Sequence, residues 1–283
     1  MKICLINQEN LQGFRSLLLP AIAAEIEKGA PVLALGICKE DADGLTACGA
    51  AGGWAAENRF EIYSFYIAPA YRRQGGGQLL VDTLCRLAKP FCALAQISFV
   101  VTDVQEHTAL LSFLEKNGFT QTEEKEKLYG ISLEKLEESA FFTGAKGDRT
   151  AAAIPFAEVS PAALERIYQD TAARNENYLP YALTETYVDA DVSMAVINGG
   201  KVRSFVAFVP QGEGVLSLAW AYSRAAADMP VMLRTAFVRV CRKYPAETLL
   251  TVQGVQASAE KLITTLMPQA ERISYTFVRM LEE

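Results

Sequence analysis

One histidine, His107, stands among 283 residues, and that scarcity excludes a histidine-based metal centre. The six cysteines, Cys4, Cys38, Cys48, Cys85, Cys92 and Cys241, include no C-x-x-C pair and no ligand cluster, so no metal is expected. In a chain of this size they read as reduced, mostly buried thiols of a cytoplasmic protein. No apolar run reaches the length of a membrane span. The opening, MKICLINQEN, is broken by Gln8, Glu9 and Asn10 before it could serve as a signal peptide. Positive charge is also short. Lys and Arg number 27 against 33 Asp and Glu, and the net −6 argues against nucleic acid as a partner. Disorder is not expected either, because 51% of the residues are hydrophobic and 21% charged. The length suits one large or two ordinary domains.

What is present is organised around Phe60–Leu80, FEIYSFYIAPAYRRQGGGQLL. Phe60, Ile62, Phe65 and Ile67, with Tyr63 and Tyr66 between them, suit a strand buried on both faces. Pro69 cannot donate to a ladder and closes it. Arg72, Arg73 and Gln74 follow, then Gly75, Gly76 and Gly77, after which Leu79, Leu80, Leu84 and Leu87 fall at helical spacing. This order makes an anion cradle. The first N–H groups of a helix lack intrahelical partners, and the dipole there favours negative charge. Glycines admit φ > 0 and let a pyrophosphate approach the backbone, and the arginine pair adds charge at the mouth.

The spacing separates kinds of phosphate binder. No Lys-Ser/Thr follows the glycines, which excludes a P-loop, and Leu80 stands where a dinucleotide fingerprint needs its third glycine. The pattern present is R-x-x-G-x-G, Arg72 to Gly77. It resembles the acyl-CoA motif of the GNAT acyltransferase superfamily, [Q/R]-x-x-G-x-[G/A] between a strand and a helix. Phe113–Phe119, FLEKNGF, is similar to that family's LYEKxGF segment. The two motifs lie in the family's order, and the resemblance covers roughly residues 1–137. It implies an α+β fold, a twisted mixed sheet flanked by helices.

Along the chain, Met1–Asn10 reads as a short strand or the lead into a helix. Leu11–Lys28 is helical, kinked or split at Pro20 and closed by Gly29. Val32–Lys39 and Leu45–Ala55 are strands, the second weakened or bulged by Gly49, Gly52 and Gly53. Gln78–Ala88 and Glu106–Asn117 are helices, and Ile97–Thr102, Phe119–Thr122 and Lys127–Leu133 complete the sheet. The domain boundaries expected are 1–137 for the first domain, 138–155 for a linker, and 156–283 for a second domain. That second domain repeats the first. A shift of 153 lays YSFYIAPAYRRQGGGQLLVDTL on LSLAWAYSRAAADMPVMLRTAF without a gap, and Met194–Ile197 and Val202–Val209 repeat the upstream strands. Opposite the arginines and glycines, however, stand Ala225, Ala226, Ala227, Asp228, Met229 and Pro230. Asp228 would repel a phosphate and Pro230 lacks an N–H, so the second copy is expected to keep the shape and lose the cofactor. Covering the first domain, shaping the acceptor cleft or forming a homodimer are the roles left to it.

Direct acyl transfer from a thioester to an amine needs a held cofactor, a polarised carbonyl, a base for the amine and an acid for the thiolate. Backbone amides of Arg73, Gln74, Gly75, Gly76, Gly77 and Gln78 are assigned to the cofactor, with Arg72 and Arg73 as charge support. The resemblance implies that main-chain groups of Phe65, Tyr66 and Ile67 hold the pantetheine arm and polarise the carbonyl. The family's tyrosine acid falls on Leu114, which cannot act, and its helix-start asparagine falls on His107, which titrates in a useful range. His107, Tyr63, Tyr66 and Tyr129 are acid candidates. A surface histidine and sheet tyrosines are the structural alternatives. Glu61 is the base candidate, against a solvated strand-end carboxylate.

The reading is an acetyl-CoA- (or other acyl-CoA-) dependent N-acyltransferase acting on an amine of a small molecule or peptide. Its rivals are a non-catalytic acyl-CoA-binding or interaction module and a nucleotide-binding α/β domain unrelated to acyl-CoA.

Overall fold

The computed structural model describes all residues except 42–43, 102–103, 124–126, 140–152, 164, 167–186, 200, 226, 255–256 and 282–283. The chain contacts divide it into two compact units, residues 1–124 with 274–283, and residues 125–273. Each unit holds one seven-stranded mixed sheet.

The first unit begins with β1 (Lys2–Leu5), which settles the opening as a strand. Helices α1 (Leu11–Phe14) and α2 (Pro20–Glu27) follow, joined by a 3-10 turn at Arg15–Leu17. Pro20 therefore splits the helical segment, and it does so as the first residue of α2, where its missing N–H has no intrahelical partner to lose. Strands β2 (Leu33–Asp41), β3 (Gly44–Ala56) and β4 (Arg59–Ile67) form an antiparallel meander. Helix α3 (Gly76–Ala88) leads to β5 (Leu94–Val100), parallel to β4, and then to α4 (Val104–Lys116) and β6 (Thr120–Gln121). The sheet carries a core on each face. Leu80, Leu84, Phe60, Ile62 and Leu114 pack on the α3–α4 side, and Phe14, Ile22, Ile26 and Ala50 on the α1–α2 side. The glycines of β3 are places of close approach rather than weakness. A Cβ on Gly53 would lie 1.8 Å from the Glu61 carbonyl oxygen, and one on Gly49 2.4 Å from Ile67 Cδ1.

Lys127–Leu133, expected from the sequence to help complete this sheet, is not in it, and another strand lies beside β5. It is the chain's last strand, β14 (Ser274–Met280), which pairs with β5 over seven residues and with β6. Strand β7 (Lys127–Ser132) lies in the second sheet, between β12 (Leu249–Gly254) and β13 (Glu271–Arg272). Each half of the chain thus lends its last long strand to the other half's sheet. The contact division accordingly falls at residues 124/125 and 273/274. Pattern alone could not show this, because β7 and β14 are alike enough in length and apolar content to fit either sheet.

The second unit continues with the short helix α5 (Leu133–Glu137), whose Leu133 and Leu136 are core residues. Most of the expected linker, Phe141 and Phe142 included, lies outside the described residues. Ala153–Pro155 is strand β8, and β9 (Met194–Asn198), β10 (Lys201–Pro210) and β11 (Val215–Ser223) repeat the meander. Helix α6 (Asp228–Lys243), parallel strand β12 and α7 (Ala257–Leu266) repeat the strand–helix unit. The repeat is real, but it is not gapless. All the buried positions of α3 except Thr83, namely Gly76, Leu80, Val81, Leu84, Cys85 and Ala88, match Asp228, Met232, Leu233, Ala236, Phe237 and Val240 at a constant offset of 152. In the preceding strand the last parallel rungs, Ile62 and Leu218, differ by 156. The connection in the second unit is four residues shorter.

Candidate active site

Strand β4 does not alternate evenly. Its register against β3 shifts between Gly52 and Gly53, so that Ile62 and Tyr63 together face Gly53. This bulge changes which residues point to the α3–α4 face, from Phe60 and Ile62 before it to Phe65 and Ile67 after it. It also corrects the reading of a strand buried on both faces: Tyr63 is 43% exposed and Tyr66 39%. At the same level the parallel ladder with β5 stops, its last rung being Ile62–Ile97. Beyond that rung β4 continues with β3, and β5 continues with β14. Among the described residues, main-chain groups of β4 from Tyr63 to Ile67 therefore have a ladder partner on one side only. These include Phe65, Tyr66 and Ile67.

The cradle follows. Pro69–Tyr71 is a 3-10 turn, Arg73 has φ 61°, and Gly75, at φ 83°, caps α3 with no side-chain hydrogen bond. The first intrahelical bond runs from Leu79 N–H to the Gly75 carbonyl, 3.1 Å. Gly76, Gly77 and Gln78 are thus the first-turn residues whose N–H groups the helix itself does not use. The three glycines have different reasons to be there. A Cβ on Gly75 would meet nothing within 4 Å, so its requirement is backbone conformation, and the approach to it is open. Gly76 is buried, its Cβ direction blocked by Met1 Sδ at 3.0 Å and Ile37 Cδ1 at 3.3 Å. Gly77 sits under the Phe65–Phe113 stack, whose centroids are 5.3 Å apart. An open left-handed cap, exposed arginines and three first-turn amides fit a pyrophosphate. Arg72 also serves the strand end: its Nε donates to the Ile67 carbonyl at 3.1 Å, and its guanidinium lies 5.9 Å from the Tyr66 ring centroid. Gln74 Nε2 donates to the Ala70 carbonyl, 3.2 Å.

Glu61 is largely buried rather than a solvated strand-end group, its side chain 15% exposed. Arg59 Nε donates to its Oε1 at 2.6 Å and the Tyr63 hydroxyl donates to its Oε2. Tyr63 in turn stacks on Trp54, centroids 4.2 Å apart, and Trp54 is the direct cross-strand neighbour of Glu61. In the sequence Glu61 and Tyr63 stand out singly, but Arg59, Trp54 and their association were missed. The i, i+2 spacing of Arg59, Glu61 and Tyr63 on one strand is the signal that was available. Of the other candidates, Tyr129 belongs to β7 in the second sheet. The side chain of His107 lies outside the described residues. Leu114 is 1% exposed in the α3–α4 core. Burial raises the thiols of Cys85, to about 11, and Cys241, to about 12, which suits inert packing. Among the described residues no cluster could hold a metal ion, and no helix is long and apolar enough to cross a membrane.

The second unit keeps the cleft and fills the cradle. The β10–β11 register also shifts, between Ala207 and Phe208, leaving Ala219 as the extra residue, and the parallel β11–β12 ladder also stops one residue earlier, at Leu218–Val252. Yet only residues 224–227 connect β11 to α6, against 68–75 between β4 and α3. At the first position of α6, where α3 has Gly76, stands Asp228, buried. Arg203 Nε and Nη2 donate to its two oxygens at 2.6 Å each, and Ser204 Oγ donates to Oδ2 at 2.8 Å. The Arg203 hydrogen bonds hold this carboxyl below its ordinary pKa, with Ser204 adding to them against the cost of burial.

Comparison with known proteins agrees with this geometry. Residues 13–119 match the model of the acetyltransferase (GNAT) family. Among solved structures, a tandem GNAT protein from the clavulanic acid biosynthesis pathway is similar over 100% of this chain and 99% of its own, with TM-score 0.54 and 11% identity. A GCN5-related N-acetyltransferase from Sphaerobacter thermophilus aligns over 100% of this chain and 96% of its own, at 12% identity and TM-score 0.48. A probable N-acyltransferase from Enterococcus faecalis V583 aligns over 99% and 72%, at 14% and 0.43. A comparison with curated proteins returned no match. The first unit thus holds the segment that matches the GNAT-family model, in a chain with the fold of a tandem GNAT protein.

Proposed function

We propose that the first unit is an N-acyltransferase that takes an acyl group, acetyl in the first instance, from acyl-CoA to an amine of a small molecule or peptide. The observation that carries this reading is the conjunction of a parted β4–β5 ladder with an open, left-handed, basic cap on α3. In this reading the amides of Gly76, Gly77 and Gln78, with Arg72, Arg73, Gln74 and Gly75, hold the pyrophosphate. Main-chain groups of Phe65, Tyr66 and Ile67 line the gap and polarise the thioester carbonyl. Glu61 accepts the proton of the attacking ammonium; each of its oxygens has a second lone pair beside the bond from Arg59 or Tyr63. Tyr66, exposed at the strand end, is the described candidate for returning a proton to the thiolate, and His107 is the other. The amine attacks directly, so one C–N bond forms as the C–S bond breaks, and no cysteine carries the acyl group. Six unpaired thiols suit a reducing compartment such as the cytoplasm.

A second reading, a non-catalytic acyl-CoA-binding module, is favoured by Leu114, which stands buried where the family resemblance expects an acid. Thiol release from acetyl-CoA in the presence of a panel of primary amines separates the two. Amine-dependent release that Glu61→Gln abolishes supports the enzyme. Tight acetyl-CoA binding with no release above the uncatalysed rate for any amine supports the binder.

A further inference from the structure

The exchanged strand has a consequence for the site that lies in the other half's sequence. Past Ile97, the residues Ser98, Phe99 and Val100 of β5 have left β4, and among the described residues β14 is the strand that still pairs with them. Their rungs are Thr276, Tyr275 and Ser274. Three side-chain links reinforce these rungs. Ser98 Oγ and Thr276 Oγ1 lie 2.8 Å apart, and Phe99 stacks on Tyr275 and Phe277 with centroids 5.9 and 6.0 Å away. Thr122 adds two donors to the Thr276 carbonyl, from its N–H at 2.9 Å and its Oγ1 at 3.2 Å. The inner half of β14 differs. Phe277 to Met280 face Ile97 to Leu94, where β5 is also held by β4. A strand with ladders on both sides keeps its place when one cross-strand contact is weakened, whereas one held from a single side moves with its partner.

We infer that the outer half of β14 fixes the far wall of the acyl-CoA cleft, with Tyr275 and Thr276 as positioning residues. The inference rests on the acyl-CoA reading above. It gives the second half of the chain a role in the first unit's site even though its own cradle is filled.

The test titrates the full chain with acetyl-CoA by calorimetry, alongside urea unfolding. Tyr275→Ala and the milder Thr276→Val weaken the outer half. Val278→Ala and Arg279→Met, the latter breaking the 2.9 Å bond from Arg279 Nη1 to Asp82, weaken the inner half. The outer variants are expected to raise the dissociation constant, about tenfold for Tyr275→Ala. The inner variants are expected to lose comparable stability and stay within about twofold of the unsubstituted protein. An affinity that falls equally in both pairs, in step with stability, overturns the inference, as does an unchanged affinity in all four. Failure of the unsubstituted, folded protein to bind acetyl-CoA overturns the acyl-CoA reading itself.

Discussion

The two units differ least where the strands part and most where the helix begins. Both have a bulge in the strand at the gap and a parallel ladder whose last rung lies one residue before the bulge's extra residue. The first unit then spends eight residues, 68–75, on a loop with two left-handed positions and reaches a glycine at the head of α3. The second crosses in four, 224–227, and reaches Asp228. Parting of the sheet is common to both units, while the proposed anion binding belongs to the longer connection of the first. In the second unit the positive end of the helix dipole is already met by the chain's own carboxylate, paired with Arg203. A carboxylate of the chain thus stands at this helix start, hydrogen-bonded by Arg203 and Ser204.

The largest test of this comparison moves the second unit's residue into the first. Gly76→Asp places a carboxylate at the position equivalent to Asp228, among the amides assigned to the phosphates. Acetyl-CoA affinity is expected to fall by at least about a hundredfold, read by titration on protein whose circular dichroism is unchanged.

The converse change removes the internal anion. Asp228→Ala leaves Arg203 without its carboxylate and is expected to lower unfolding free energy by about 3 kcal/mol in urea. Binding stoichiometry should stay as it was, because the shorter loop remains. An unchanged midpoint would show that the Arg203–Asp228 pair contributes nothing net.

How much of this was legible is clearest at these residues. The strand–loop–helix order around the first loop was readable because Pro69 and the glycines Gly75 to Gly77 punctuate it in sequence, and Gly75 does take the left-handed cap position. The different chemistry of the second connection was readable in Asp228 and Pro230 for the same reason. What Asp228 bonds to was not, since Arg203 lies on a strand 25 residues earlier and only pairing register brings them together. The missing four residues were hidden because a shift of 153 lies between the strand's 156 and the helix's 152, and apolar patterns tolerate such slips. The exchange of β7 and β14 was beyond reach. Two short strands of similar composition carry no label for their sheet, and side chains such as Phe277, 1% exposed in the first unit's core, decide it only in three dimensions.

Acid should separate the units further. Asp228 has its pKa lowered by Arg203, and Asp189 by Lys243 and Tyr244 acting against burial. A carboxylate whose folded pKa is depressed stabilises the fold fully above its ordinary value, near 3.8, and that contribution is lost as pH falls through the depressed one. Stability of the second unit should therefore fall as pH drops below about 4, and Asp228→Asn should flatten that fall, followed by hydrogen exchange on α6.

A smaller effect sharpens the contrast in backbone strain. Arg73 holds φ 61°, whereas Ala227, before α6, is right-handed helical. Arg73→Gly should raise stability by up to about 1 kcal/mol by relieving that conformation. The same change should weaken acetyl-CoA binding through the lost charge. A stability that falls instead would mean that the arginine side chain holds the loop by contacts of its own.

The most direct measurement is a calorimetric titration of the full chain with acetyl-CoA, read for the number of sites. The account predicts one site per chain, lost in Gly76→Asp and kept in Asp228→Ala. Two sites would contradict the claim that the second cradle is filled by Asp228, and none, on folded protein, would contradict the claim that the first is open.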